Sequence, residues 1–368
     1  MLLDSKIVML IALILAQQLI AHQIELKTPE EVKAYEEQQR SIHHCFPIIE
    51  EQLIERKSSW LRLNSFDSDL QNLGSVLKKY ETLNWGSSSE SESRESQLPF
   101  GTIKSTDKDG VHLVKRDSDT CVGSNLDCQV DRSSKFSNHK LRNHSCVLSP
   151  FVTSGPYYHR SEHPIRQNLA EWQDGLPLLM DIGVIDVETC EPIKGALVDI
   201  WHANATGFYA GYPETKKALE DITVPIPRTN YNDRWLRGAW PTNSNGVAQF
   251  TSIFPGFYTG RATHVHAKVH LNFKINNDST FDSAYVQYVG QFFFDEEINF
   301  SVDQMSPYRF NPSENRTLNS KDSLNIFSDS FKNFYNPIFE IEKIGSVISQ
   351  GLIGFITVGI NMTAKHPN

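Results

Sequence analysis

The 368-residue sequence reads as a mainly β protein: a β-sandwich preceded by a helical N-terminal region. Three observations predict this. After residue 146, apolar segments of strand length recur, each ending at turn residues. No helical periodicity is interleaved between them, which argues for a sandwich over an alternating α/β fold. Residues 29–83, by contrast, are charged and carry apolar positions at helical spacing.

Taken from the N-terminus, Lys6 precedes a continuous apolar run over 7–16, and small residues follow, with Ala21 where a secretory signal would be cleaved. The run is shorter than the ~20 residues a spanning helix needs, so a signal over 1–21 is expected rather than a membrane anchor, and with it a secreted, extracellular protein. The helical region is expected over 22–85. Val32, Tyr35, Ile42, Ile49 and Leu53 mark its apolar stripe, and Pro47 should break or restart the helix. It would form a pair of helices packed on something else, serving as a removable pro-region or as a segment that joins two chains in a homodimer.

Residues 86–145 read as a Ser-rich linker with a Cys-containing loop. The stretch 87–97, SSSESESRESQ, has nothing to bury. Lys115-Arg116 is a dibasic pair at which a pro-region would be processed. From 146 to 368 the character is β. Strands are expected over 178–187, 196–203, 247–254, 264–273, 285–294 and 351–360. The first two are joined by the turn at 188–195, and Pro255-Gly256 ends the third.

Five cysteines, Cys45, Cys121, Cys128, Cys146 and Cys190, suit an oxidising compartment. Cys121 and Cys128 are close enough for a local bridge. Cys146 and Cys190 flank the same core region and are the expected second pair, which leaves Cys45 odd. Their spacing does not complete a four-ligand zinc set. N-x-S/T sequons occur at Asn143, Asn204, Asn277, Asn299, Asn315 and Asn361, so glycosylation is expected. A net charge of -9 with no basic stripe argues against a nucleic-acid partner. No membrane association is expected once the signal is removed.

The segment 255–266, PGFYTGRATHVH, carries the chemistry. His264 and His266 are at i and i+2 on an expected strand, so both imidazoles project from one face and can reach one metal. His270 continues that face and reads as an ordinary buried histidine. Tyr258 and Arg261 lie in the Gly-containing turn just before. Upstream, WHANATGFY over 201–209 leaves a strand and places Tyr209 at a sheet end. From spacing alone, each tyrosine is an ordinary packing residue.

Ordered motifs now accumulate: SGPYY at 154–158, DIWHANATGFY at 199–209, Arg237-Gly238, the P-G-x-Y-x-x-R-x-x-H-x-H pattern at 255–266, VGQFFFD at 289–295, and the strand at 351–360. Together they resemble the intradiol ring-cleavage dioxygenases, nearest to the secreted fungal and arthropod branch. The resemblance implies a β-sandwich of that type holding one Fe(III) per chain through Tyr209, Tyr258, His264 and His266. It implies that Tyr258 is the axial ligand that gives way to substrate. It also implies that Arg261 stabilises negative charge on the substrate and that Gln291 is an active-site glutamine. The implied reaction is cleavage of a catechol-type ring by dioxygen to a muconate-type diacid, with both oxygen atoms incorporated. The alternatives are a non-catalytic secreted β-sandwich binding module, which would be expected to have lost a ligand, and a copper or zinc site built on the histidines alone.

Overall fold

The computed structural model describes residues 28–65, 146–147, 152, 154–160, 162–213, 229–313 and 315–368. The expected signal over 1–21, the expected Ser-rich linker, Lys115-Arg116, Cys121, Cys128 and Asn143 lie outside these residues. Two helices come first, α1 (Pro29–Arg40) and α2 (Phe46–Ser65), joined by a 3-10 turn over His43–Cys45. Thr28 and Glu31 cap α1 reciprocally, each side chain accepting the other's backbone N–H. Pro47 sits in the first turn of α2, where a missing N–H removes no helical bond, so it restarts the helix as expected.

Two sheets follow. The first contains β1 (Cys146–Val147), β2 (Pro177–Asp186), β5 (Val247–Ile253), β11 (Glu340–Lys343) and β12 (Leu352–Ile360). Its order is β1-β12-β2-β5, with β11 paired to β12. The second is antiparallel, in the order β10-β6-β3-β4, from β3 (Leu197–Trp201), β4 (Arg237–Pro241), β6 (His264–His270) and β10 (Tyr288–Phe293). The two-residue strands β7 (Lys274–Ile275), β8 (Phe281–Asp282), β9 (Tyr285–Val286) and β13 (His366–Pro367) pair among themselves. The protein is thus mainly β, a sandwich with N-terminal helices. Two short helices, α3 (Glu296–Asp303) and α4 (Ile326–Asn333), follow β10. The sequence reading did not anticipate them, because each is only eight residues long.

The period-2 rule explains why β2 and β12 read as unbroken apolar runs. Leu178, Met180, Ile182 and Val184 face the core between the sheets. The intervening residues face the helices: Ile185 and Val187 meet Ile42 and Ile49, and Leu179 meets Leu53 and Trp60. Close approach needs glycine here, since a Cβ on Gly359 would lie 1.9 Å from Ile42. On the same outer face Arg56 of α2 reaches Asp181, with Nε 2.6 Å from Oδ1, and donates to Thr357 Oγ1 at 2.8 Å.

One expectation is corrected. Cys190 bonds to Cys45, not to Cys146. The helices lie against the outer face of the first sheet, which brings Cys45 to the turn after β2, with a Cα–Cα separation of 5.3 Å. Cys146 instead sits in β1, in register with Thr357. Pairing by sequence neighbourhood failed because the relevant neighbour is 145 residues away. His44, Cys45 and Cys190 gather three metal-type ligand atoms, but the disulfide ties up two of them.

Candidate metal centre

The site grows from the outer face of the second sheet. On β6, Val265, Ala267 and Val269 point into the core, which turns His264, His266, Lys268 and His270 to the opposite face. Register sets the neighbours. His266 lies between Trp201 of β3 and Gln291 of β10, so these three side chains form one row across the sheet.

Two loops deliver the tyrosines. After β3 the chain turns at 204–208, fixed by the Asn204 carboxamide. Its oxygen accepts from Thr206 N, Thr206 Oγ1 and Phe208 N, and its nitrogen donates to Gln173. The loop then presents Tyr209. Before β6, Arg261 N–H donates to Tyr258 O at 3.0 Å. This closes a tight turn in which Gly260, at φ 82°, supplies the left-handed residue. The turn puts Tyr258 and Arg261 side by side.

The four expected donors converge. Tyr209 Oη lies 3.2 Å from His266 Nε2 and 3.4 Å from His264 Nε2. Tyr258 Oη lies 3.5 Å from His264 Nε2, and the two imidazole Nε2 atoms are 3.1 Å apart. His264 Nδ1–H donates to Ala262 O at 2.6 Å, which fixes the tautomer and aims the Nε2 lone pair at the cluster. The two Nε2 atoms, with the Tyr209 hydroxyl beside them, lie close enough to share a proton or a cation. Burial, above all, pushes both phenols up, Tyr209 far up, with Arg261 pulling the other way. Both therefore stay neutral until a cation offsets the charge. Two anionic oxygens and two imidazoles form a donor set suited to hard ferric iron.

Around the donors, Tyr157 stacks on Tyr209 at 4.3 Å, and Trp201 lies parallel to His266 at 4.8 Å. Arg261 Nη1 faces Tyr258 Oη at 3.4 Å, and its Nη2 donates to Gln291 Oε1. The sequence reading missed three residues. Tyr157 and Trp201 stood inside quoted motifs, but as scenery. Asp322, which binds Arg261 from 61 residues downstream, had no signal at all. Behind the site, Asp199 accepts from His163 Nδ1–H at 2.5 Å, and Arg237 reaches His163 Nε2 at 3.4 Å. His270 is buried at the far end of the β6 row, where Nδ1 donates to Tyr285 O at 3.3 Å, outside the cluster.

Residues 153–306 match the Dioxygenase_C (Dioxygenase) family. An intradiol ring-cleavage dioxygenase from Tetranychus urticae is 32% identical, with 60% of this chain and 98% of that one covered and a TM-score of 0.46. Catechol 1,2-dioxygenase 1 from Acinetobacter lwoffii is 26% identical over 168 residues, which span 42% of this chain and 48% of the relative. The chain thus spans about half the length of that curated relative. Residues 153–306 thus carry a match to the dioxygenase family, and over that region the chain is similar to intradiol ring-cleavage and catechol dioxygenases.

Proposed function

We propose that this chain cleaves a catechol-type ring between its two hydroxyl-bearing carbons with dioxygen, using one Fe(III) held by Tyr209, Tyr258, His264 and His266. The observation that carries the reading is the meeting of two phenol oxygens and two imidazole nitrogens, from three separate segments, at 3.1–3.5 Å. A bound ferric ion would supply Lewis acidity to the catechol oxygens and a route for the ring's electrons to dioxygen.

The side chains do the rest. Tyr258 is the more open of the two tyrosines, and Tyr209 is buried. As a phenolate, Tyr258 Oη is the group placed to accept a catechol hydroxyl proton. Arg261, nearly all buried and held charged, fixes a positive charge beside it, where negative charge develops on the ring. Gln291 orients the Arg261 fork. Trp201 and Tyr157 wall the donors from water.

The test is oxygen uptake by iron-loaded protein against a panel of catechols, with product ultraviolet spectra. One dioxygen consumed per diacid formed supports the reading. Iron-replete protein that consumes no oxygen with any catechol favours the binding-module alternative.

Secretion and glycosylation belong to the same proposal. Asn277 and Asn315 are exposed and suit glycans, whereas Asn204 and Asn299 are buried. A glycopeptide containing Asn204 in active protein would contradict this assignment. The N-terminal helices pack on the chain's own sheet, so one of their faces serves the fold of this chain.

A further inference from the structure

Arg261 is held along its Nε edge by a carboxylate from a distant segment of the chain. Nε donates to Asp322 Oδ2 at 3.0 Å and to Oδ1 at 3.3 Å, and both side chains are nearly inaccessible. The carboxylate is itself immobile. Oδ2 also accepts Ala262 N–H at 2.8 Å, and Oδ1 accepts Leu324 N–H at 3.1 Å. The Ala262 bond ties Asp322 to the residue directly after Arg261, so carboxylate and guanidinium are fixed to one turn.

We propose that Asp322 is a positioning residue for ring cleavage. Its carboxylate locks the Arg261 guanidinium in the orientation that turns Nη1 to Tyr258 and Nη2 to Gln291. The proposal rests on the reading of this site as a ring-cleavage centre.

Three physical points support it. First, an arginine side chain has many rotamers to lose, and a planar fork pinned along its Nε edge has the direction of its other edge set. Second, Asp322 is mounted on the same frame as its targets. It follows a 3-10 turn over Asn319–Lys321, where Asn319 Nδ2 donates to Phe294 O at 2.8 Å and Asn319 N–H donates to Glu296 Oε1 at 2.5 Å. These bonds tie the segment to the end of β10, the strand that carries Gln291. Third, the carboxylate compensates the buried guanidinium charge, with Arg261 and Asp322 side chains 6% and 0% exposed. Asp322 lies beyond the 153–306 family span, so the C-terminal part of the chain contributes directly to the centre.

The experiment is a double-mutant cycle of Asp322→Asn with Arg261→Gln in iron-loaded, full-length protein. The Asp322→Asn change keeps an oxygen for Ala262 N–H but removes the charge. Four quantities are read: iron content, anaerobic catechol affinity, KM and kcat. The expected result for Asp322→Asn is full iron, anaerobic affinity within about threefold, and kcat reduced about 10- to 100-fold, the scale of loss when a charged group is misplaced by about 1 Å. In the Arg261→Gln background the same change should alter kcat less than about twofold, because the two residues act as one unit.

A kcat for Asp322→Asn within twofold of wild type overturns the proposal, and so does an equal loss in both backgrounds. If Asp322→Asn fails to hold iron, Asp322→Glu decides: lowered kcat with full iron supports positioning, and unchanged kcat removes it. Wild-type protein that turns over no catechol would instead overturn the ring-cleavage reading itself.

Discussion

The Trp201 indole lies parallel to the His266 imidazole, with centroids 4.8 Å apart and planes 8° from each other. The two residues are direct cross-strand partners on β3 and β6, and Trp201 is fully buried. The indole therefore sets the plane of the imidazole as well as filling space. Trp201→Ala should destabilise the fold by about 3–5 kcal/mol and loosen the metal site. Trp201→Phe should retain most of the stability. Thermal unfolding together with iron content per chain checks both, and an alanine variant with unchanged melting temperature and full iron would refute the coupling.

His264 and His266 carry the donor geometry on a rigid strand. On the proposed ferric site, His266→Ala is expected to lose iron, and with it the burgundy colour that tyrosinate-to-iron charge transfer would give. The melting temperature of the iron-free protein should also fall, because His266 is buried and stacked on Trp201. Metal analysis and a visible spectrum decide. Full iron in His266→Ala would remove that residue from the site.

The Cys45–Cys190 bond closes a span of 145 residues and staples the helices to the outer face of the first sheet. A long closed loop restricts the unfolded chain strongly, so Cys45→Ser should lower stability by about 2–5 kcal/mol. A denaturant titration of both proteins measures it, with peptide mapping under non-reducing conditions as the check on connectivity.

Arg56 and Asp181 form a largely buried pair between α2 and β2. Removing one partner leaves the other charge uncompensated, so Arg56→Met should destabilise by about 3–5 kcal/mol. The double variant Arg56→Met with Asp181→Leu should recover most of that loss. If the double variant is no more stable than the single one, the penalty lies in packing rather than charge.

Two buried histidines predict sensitivity to acid. His202 donates from Nδ1 to Ala203 O and accepts at Nε2 from Ser252 Oγ, and His270 donates to Tyr285 O. Burial is the first cause that lowers each to about 4. Below about pH 6.5 the unfolded chain takes up protons that the folded chain refuses. Their stabilising contribution is thus full above pH 6.5 and is lost as pH falls toward 4, by about 1.4 kcal/mol per unit for each group. Asp303, raised by burial to about 6, works in the opposite sense. His202→Asn should therefore flatten the decline by about one proton's worth. An unchanged slope in stability against pH would show that His202 is not the group that titrates.

The sequence by itself determined the β character, the main strands and the face that His264 and His266 share, because strand periodicity is a local property of the chain. It also supplied Tyr209, Tyr258, Arg261 and Gln291, though only through ordered motifs, since a tyrosine at a sheet end carries no chemistry of its own. Tertiary structure decided what long-range contacts decide. It paired Cys45 with Cys190, because α2 packs across β2 and β12. It also explained the doubly apolar strands as surfaces covered on both sides. And it brought Asp322 against Arg261 from a stretch with no motif. The physical reason is the same in each case. Period and turn chemistry are written in neighbouring residues, whereas a disulfide partner or a buried counter-charge depends on which distant segments the packed core brings within a few ångströms.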